Sequence, residues 1–183
     1  MKKYKLLIAI SAIIPLLFSC SYIPKNATPV KNFESEKYLG KWYEIARIDF
    51  KFEKNLNNVT AEYSMNKNGS IKVYNKGYDY TKNSWKSSTG KAKFRGDTNI
   101  GALKVSFFGP FYSGYNVIGL DDQYKYALVA GKNLEYLWIL SRTTSIPEQI
   151  KMNYLNKASS IGYDTNKLIW IEHNLNIING EAK

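Results

Sequence analysis

Residues 40–47 read Gly40-Lys41-Trp42-Tyr43-Glu44-Ile45-Ala46-Arg47, and residues 137–143 read Leu137-Trp138-Ile139-Leu140-Ser141-Arg142-Thr143. Between them runs a series of short alternating strand patterns. A Trp and an Arg at the two ends of such a run predict a sheet that closes on itself, with Arg142 laid across the Trp42 indole at the closed end. A small closed barrel has no free sheet edges and can hold one small ligand. Function is therefore sought in a cavity rather than in a catalytic constellation.

The intervening segments carry the period-two signal of half-buried strands. Val59-Thr60-Ala61-Glu62-Tyr63-Ser64-Met65 alternates, Asn68-Gly69 is a hairpin turn signal, and Ile71 to Lys76 alternates again. Asp79 to Ser88 reads as a polar loop. Gly90 to Gly96 turns Ala92 and Phe94 inward, and Leu103, Val105 and Phe107 share a face before Gly109-Pro110 breaks the run. Tyr115 to Leu120, Tyr124 to Ala130 and Leu134 to Leu140 complete eight strands, counting the one around Trp42. The period then changes once. Ser145-Ile146-Pro147-Glu148 reads as a capping box, and Ile146, Ile150, Tyr154, Leu155, Ala158 and Ile161 recur at helical spacing up to Gly162. That stripe predicts a helix packed on the outside of the barrel. Leu168 to Glu172 is a last short strand.

Fifteen Tyr, eight Phe and four Trp suit an aromatic-lined all-β interior. The net charge is +11, of which Lys2, Lys3 and Lys5 belong to a leader, leaving +8 on the remainder. Those lysines and the apolar run Leu6 to Phe18 form a signal peptide over residues 1–19. The run ends in Leu17-Phe18-Ser19-Cys20, which resembles a bacterial lipobox. Cys20, the chain's single cysteine, is the expected lipidation site, carrying diacylglycerol and an N-acyl chain such as palmitate. Ser21 in place of Asp resembles the sorting signal for the outer membrane, so the chain is expected there, facing the periplasm. Export leaves no role for nucleic acid, and the lysine-rich exterior suits anionic lipid. Residues 20–32, with Pro24 and Pro29, read as a tether. The domain is expected over 33–176, followed by a tail over 177–183.

Gly40-x-Trp42, the Leu120-Asp121-x-x-Tyr124 turn and Arg142 resemble the three sequence blocks of the lipocalins. The lipobox, Trp42 to Arg47, Leu103 to Tyr112, Tyr115 to Ile118 and Leu137 to Thr143 resemble the bacterial outer-membrane branch, with the apolipoprotein D group a more distant look-alike. The resemblance implies an eight-stranded antiparallel up-and-down barrel, open at one end, with one flanking helix. It implies a pocket for a fatty acid or lysophospholipid and a non-catalytic storage or carrier role in envelope maintenance under stress. A homodimer is left open.

Alternation assigns the faces. Starting from Trp42 it turns Glu44, Ala46 and Ile48 inward, and starting from Arg142 it groups Leu140, Trp138 and Tyr136. Gly40, Trp42 and Arg142 are assigned to structure at the closed end. The candidate ligand-binding residues are Ala46, Tyr63, Phe94, Val105, Phe107, Tyr112 and Trp138, with Val59, Ala61, Val73 and Leu103 beside them. Tyr112 and Trp138 stand out because the family resemblance places matching positions at the pocket, Tyr112 near the mouth. Glu44 is the odd residue, since an inward carboxylate needs a donor; it is expected low in the barrel, paired with an interior donor or water.

An enzyme reading has little to work with. His173 is the single histidine and lies beyond the last strand, and no His/Cys spacing suits zinc or haem. No catalytic residue, metal or cofactor is assigned. The other reading is an interaction protein whose barrel, plugged by its own side chains, is only a scaffold. Cavity volume separates the two.

Overall fold

The computed structural model describes residues 22–174. The leader 1–19, Cys20 and the tail 177–183 lie outside the described residues.

A one-turn helix α1 (Ser35–Tyr38) precedes the strands β1 (Gly40–Ile48), β2 (Leu56–Met65), β3 (Ile71–Asp79), β4 (Ser84–Phe94), β5 (Ala102–Phe108), β6 (Phe111–Leu120), β7 (Tyr126–Ala130) and β8 (Leu137–Ser141). Helix α2 (Glu148–Ile161) and a short strand β9 (Leu168–Trp170) follow. Each strand pairs antiparallel with the next, β8 returns to β1, and β1 also pairs with β2, so eight strands close into a barrel. β9 adds to β1 through Ala46↔Trp170 and Ile48↔Leu168. The connections β1–β2, β3–β4, β5–β6 and β7–β8 therefore gather at the open end, and β2–β3, β4–β5 and β6–β7 at the closed end.

Two cores follow from the alternation. Inside the barrel, Phe33, Tyr38, Trp42, Tyr63, Val73, Leu103, Val117, Val129 and Leu140 pack together. Outside it, Ile45, Ile118, Leu128, Leu137 and Ile139 receive Tyr154, Ala158 and Ile161 of α2. Helix and barrel are thus one unit, with closed sheet and both cores contained in residues 22–174.

A β-bulge decides the parity of β1. Glu44 opposes Leu140, but Ala46 opposes Ile139 and Arg47 opposes Trp138. The inward series is thus Trp42, Glu44, Arg47. Ala46, expected inside, lies in the outer core with Ile45 and Ile48. A bulge places two residues against one and moves everything beyond it to the opposite face.

Three other expectations are corrected. Asp79 to Ser88 is no loop: β3 and β4 continue as a hairpin with Asp79 paired to Ser84, held by Lys86 Nζ at 2.6 Å from Asp79 Oδ2. Its side chains are polar because most of the hairpin's tip faces solvent. The helix starts at Glu148 behind an extended Pro147 and has no side-chain cap; Ser145 instead accepts, at its carbonyl, the Ser141 hydroxyl at 2.9 Å. From Tyr22 the expected tether is docked on the barrel. Asn116 Nδ2 donates to Tyr22 O at 2.8 Å, Val30 N to Val117 O at 2.8 Å, and Gly101 N to Val30 O at 2.9 Å.

Candidate functional site

The closed end is sealed by backbone and aromatic rings. Trp42, wholly buried, donates from Nε1 to Tyr38 O at 2.8 Å. The Arg142 guanidinium lies 3.9 Å from the centroid of its ring. Its Nη1 donates to Lys41 O at 2.8 Å, and Nη2 to Lys37 O at 2.8 Å and Leu39 O at 2.9 Å. Nε reaches Tyr124 O at 3.2 Å. One cation thus gathers the last carbonyls of α1, the start of β1 and the β6–β7 turn. Gly40, at φ 91°, is needed here: a side chain would strain the backbone and meet Arg142 Nη1.

Above this plug the interior is apolar, with a tyrosine relay at its centre. The hydroxyls of Tyr38 and Tyr115 are 2.7 Å apart, and those of Tyr63 and Tyr115 2.8 Å. Burial raises all three phenols above the usual tyrosine range, so they stay protonated and serve as hydrogen-bonding groups. The void they border with Ile71, Val73, Ala92, Leu103 and Val105 measures about 10 Å³, room for about one water.

The mouth is charged and lidded. Arg47, 1% exposed, donates from Nη1 to Glu44 Oε1 at 2.8 Å and from Nε to Asp49 Oδ1 at 3.2 Å. The β1–β2 connection, residues 49–55, folds inward over it: Arg47 Nη2 donates to Glu53 O at 2.6 Å. Trp138 Nε1 donates to Glu53 Oε2 at 3.1 Å, and Arg47 Nε lies 3.9 Å from the same oxygen. Phe50 sets its ring edge-on to Trp138 at 5.8 Å and Tyr136 stacks on Trp138 at 6.2 Å. Burial pushes the Glu44 carboxyl well above the ordinary range, Glu53 adding to the rise and Arg47 opposing it. Burial likewise raises Glu53, with Trp138 and Arg47 holding it back. Outside this cluster the rim is apolar and solvent-facing: Phe52, Phe108 and Phe111 are 62, 68 and 79% exposed.

The candidate pocket residues therefore divide. Tyr63, Phe94, Val105, Phe107 and Trp138 belong to the inner cluster, with Ala61, Val73 and Leu103. Ala46 is outside, beneath the helix. Tyr112 is outside as well. A hairpin paired regularly from Phe108↔Phe111 would turn it inward, but the register slips and Ser113 opposes Val105. Tyr112 then shares the outer face with Lys104, whose Nζ is 5.2 Å from its ring centroid. Val59 lies near Gly77 in the adjoining strand. Glu44 finds the interior donor it needs in Arg47. Alternation alone missed Arg47, Glu53, Tyr38 and Tyr115; the acidic, aromatic run Asp49-Phe50-Lys51-Phe52-Glu53 was the one available sign of a lid.

His173 donates from Nε2 to the Glu44 carbonyl oxygen at 2.8 Å and stands edge-on to Tyr43. Among the described residues no three His, Cys, Asp or Glu side chains gather as a metal set would require.

The model of the lipocalin-like domain matches residues 33–173. The outer membrane lipoprotein Blc of Citrobacter freundii is 53% identical over 149 residues, covering 81% of this chain and 84% of that one. The protein of that name from Vibrio cholerae is 48% identical over 158 residues, 86% and 92% of the two chains. Rat (Rattus norvegicus) apolipoprotein D is 37% identical over 128 residues, 65% and 66% of the two chains. Among solved structures, insecticyanin from the tobacco hornworm Manduca sexta superposes with a TM-score of 0.66 at 22% identity, covering 84% of this chain and 87% of that one.

Proposed function

The chain belongs to the lipocalin-like family, and on that premise we propose that it is a lipid-anchored carrier that holds one single-chain lipid, a fatty acid or lysophospholipid, inside its barrel. The observation that carries this reading is the interior itself. It is lined by apolar and aromatic side chains, closed below by Trp42 and Arg142, and topped by one charged cluster under a short lid. Such a shape offers an acyl chain a dry sleeve and a headgroup a polar end. Each buried methylene contributes roughly 0.8 kcal/mol. Twelve therefore exceed the roughly 8 kcal/mol of a micromolar complex, leaving a margin for immobilisation.

The protein resides at the outer membrane, lipid-anchored, as the lipobox and the names of its bacterial relatives support. The anchor is Cys20, and the barrel faces the periplasm. Its role is lipid storage or transfer in envelope maintenance under stress. Nothing in its chemistry asks for catalysis: the family is one of binding proteins, and its single histidine is tied to a backbone carbonyl.

One feature favours the scaffold reading instead, namely the small size, about 10 Å³, of the void beside the three tyrosines. An acyl chain needs several hundred cubic ångströms. The carrier reading therefore requires the lid to lift and the inner aromatics to change rotamer on loading. Native mass spectrometry of the chain from Ser21 onward, exposed to palmitate and to lysophospholipid, separates the two. Saturable one-to-one adducts support the carrier; no adduct with either class supports the scaffold.

A further inference from the structure

Deep in the barrel one hydrogen-bond donor is left over. The hydroxyls of Tyr38, Tyr115 and Tyr63 form an open chain, Tyr38 to Tyr115 at 2.7 Å and Tyr115 to Tyr63 at 2.8 Å. Each phenol carries one proton, since burial holds all three above the usual tyrosine range. Two bonds use two protons. Whichever way the bonds run, the third O–H points out of the chain, and no other oxygen among the described residues bonds to these hydroxyls. Tyr38 and Tyr63 are both buried, and a buried donor without an acceptor is unfavourable.

The three tyrosines come from α1, β2 and β6, so closure of the barrel fixes their hydroxyls around one point. All three border the void of about 10 Å³, and the rest of its wall is hydrocarbon, from Ile71 and Val73 to Leu103 and Val105. The Tyr38 ring lies 4.8 Å from the Trp42 ring, so this is the foot of the sleeve, just above the plug. The inner end of a chain that enters from the mouth stops here. A terminal methyl would lie against an O–H that it cannot satisfy. A carboxylate would bring a full charge to one spare neutral donor in an apolar wall, which is unfavourable. A neutral oxygen takes the proton and leaves every phenol proton bonded, each bond strengthening its neighbours. We propose that Tyr38, Tyr63 and Tyr115 form a deep subsite for a keto or hydroxyl oxygen at the inner end of the bound chain, so that the barrel prefers single-chain lipids oxygenated at or next to their terminal carbon. The inference rests on the carrier reading.

The test titrates the chain from Ser21 onward, below micelle-forming concentrations, with palmitate, 15-oxohexadecanoate and 8-oxohexadecanoate. The two keto acids are isomers, alike in size and polarity, and differ only in where the oxygen falls along the chain. A buried carbonyl that finds a donor, against one that finds none, corresponds to about tenfold in affinity. The wild type should therefore bind the 15-oxo acid about tenfold more tightly than the 8-oxo acid. The triple variant Tyr38→Phe/Tyr63→Phe/Tyr115→Phe keeps the ring shapes and removes the whole network, a replacement that a core tolerates. It should bring the two isomers within about twofold of each other, with palmitate gaining on both. Equal wild-type affinity for the isomers overturns the subsite and leaves the carrier standing, and that comparison decides alone where the triple variant does not fold. A preference that survives in a folded triple variant also overturns the assignment to these tyrosines. Failure of all three lipids to bind the wild type overturns subsite and carrier together.

Discussion

The Arg142 guanidinium lies 3.9 Å from the Trp42 ring centroid while donating to carbonyls of Lys37, Leu39 and Lys41. Residues a hundred positions apart thus fasten the start of β1 to the end of β8 at the point where the sheet closes. Arg142→Ala removes the cation–π contact and strands several carbonyls. Part of the group is solvated, so the loss should be about 2–4 kcal/mol. Trp42→Ala, in the dry core, should cost about 3–5 kcal/mol. Arg142→Lys restores charge without the planar fork and should recover only part. Thermal unfolding checks all three; an unchanged melting temperature for Arg142→Ala would remove it from the closure.

Ala46 and Val105 form a matched pair for testing which wall is which. Ala46 packs under helix α2 and Val105 faces the interior. Ala46→Leu should overpack the helix interface, costing about 1–3 kcal/mol, and leave palmitate affinity in the folded fraction unchanged. Val105→Phe should fill the sleeve and weaken palmitate at least tenfold, with a smaller change in melting. The reverse pattern would mean that the β1 bulge is not where the register places it.

What the sequence reveals about this fold, and what it hides, turns on those bulges. Strand alternation, the Asn68-Gly69 turn and the 3.6-residue stripe of α2 are local properties, repeated along the chain and hence legible. The pairing of Trp42 with Arg142 is non-local, yet it was legible because both side chains are unusual in strands that end a run. Ala46, Arg47 and Tyr112 were not legible. One extra residue between Glu44 and Ala46, and another between Val105 and Phe108, reverse the faces beyond them. No side-chain pattern marks such an insertion, since parity is counted and not sensed. Glu53 was hidden for another reason: a lid's contacts are set by where the mouth lies, which depends on the whole barrel.

The buried Glu44 carboxyl gives the fold a pH dependence. Burial holds its titration well above the roughly 4.3 of an unfolded glutamate, and Glu53 is raised too. Between the two values the folded state binds more protons than the unfolded one, so stability falls as pH rises from about 4.5 through the folded value. Each unit of upward shift contributes about 1.4 kcal/mol. Arg47→Met removes the guanidinium that opposes the rise. It should cost about 3–5 kcal/mol near neutrality, and less at pH 5 than at pH 8, because the raised Glu44 carboxyl is the more protonated at the lower pH. Urea unfolding at pH 5 and 8 reads the difference; an equal loss at both would mean that Glu44 is ionised throughout.

The anchor can be tested by position as well as by chemistry. Only Ser21 separates Cys20 from Tyr22, and an extended chain spans at most ~3.6 Å per residue step, so a lipid on Cys20 would start within ~7 Å of a backbone fixed to Asn116 of β6. With the anchor at Cys20, the docked segment would hold the barrel close against the bilayer instead of letting it swing on a long tether. Cys20→Ala should move the protein from the membrane to the soluble fraction, because the remaining attraction comes from surface lysines at roughly 1 kcal/mol each. That residual attraction should be screened. Binding of the unlipidated chain to vesicles containing anionic lipid should weaken steeply between 50 and 300 mM salt. Membrane retention of Cys20→Ala in high salt would point to a second, apolar attachment, for which the exposed rings of Phe52, Phe108 and Phe111 at the mouth are the first residues to change.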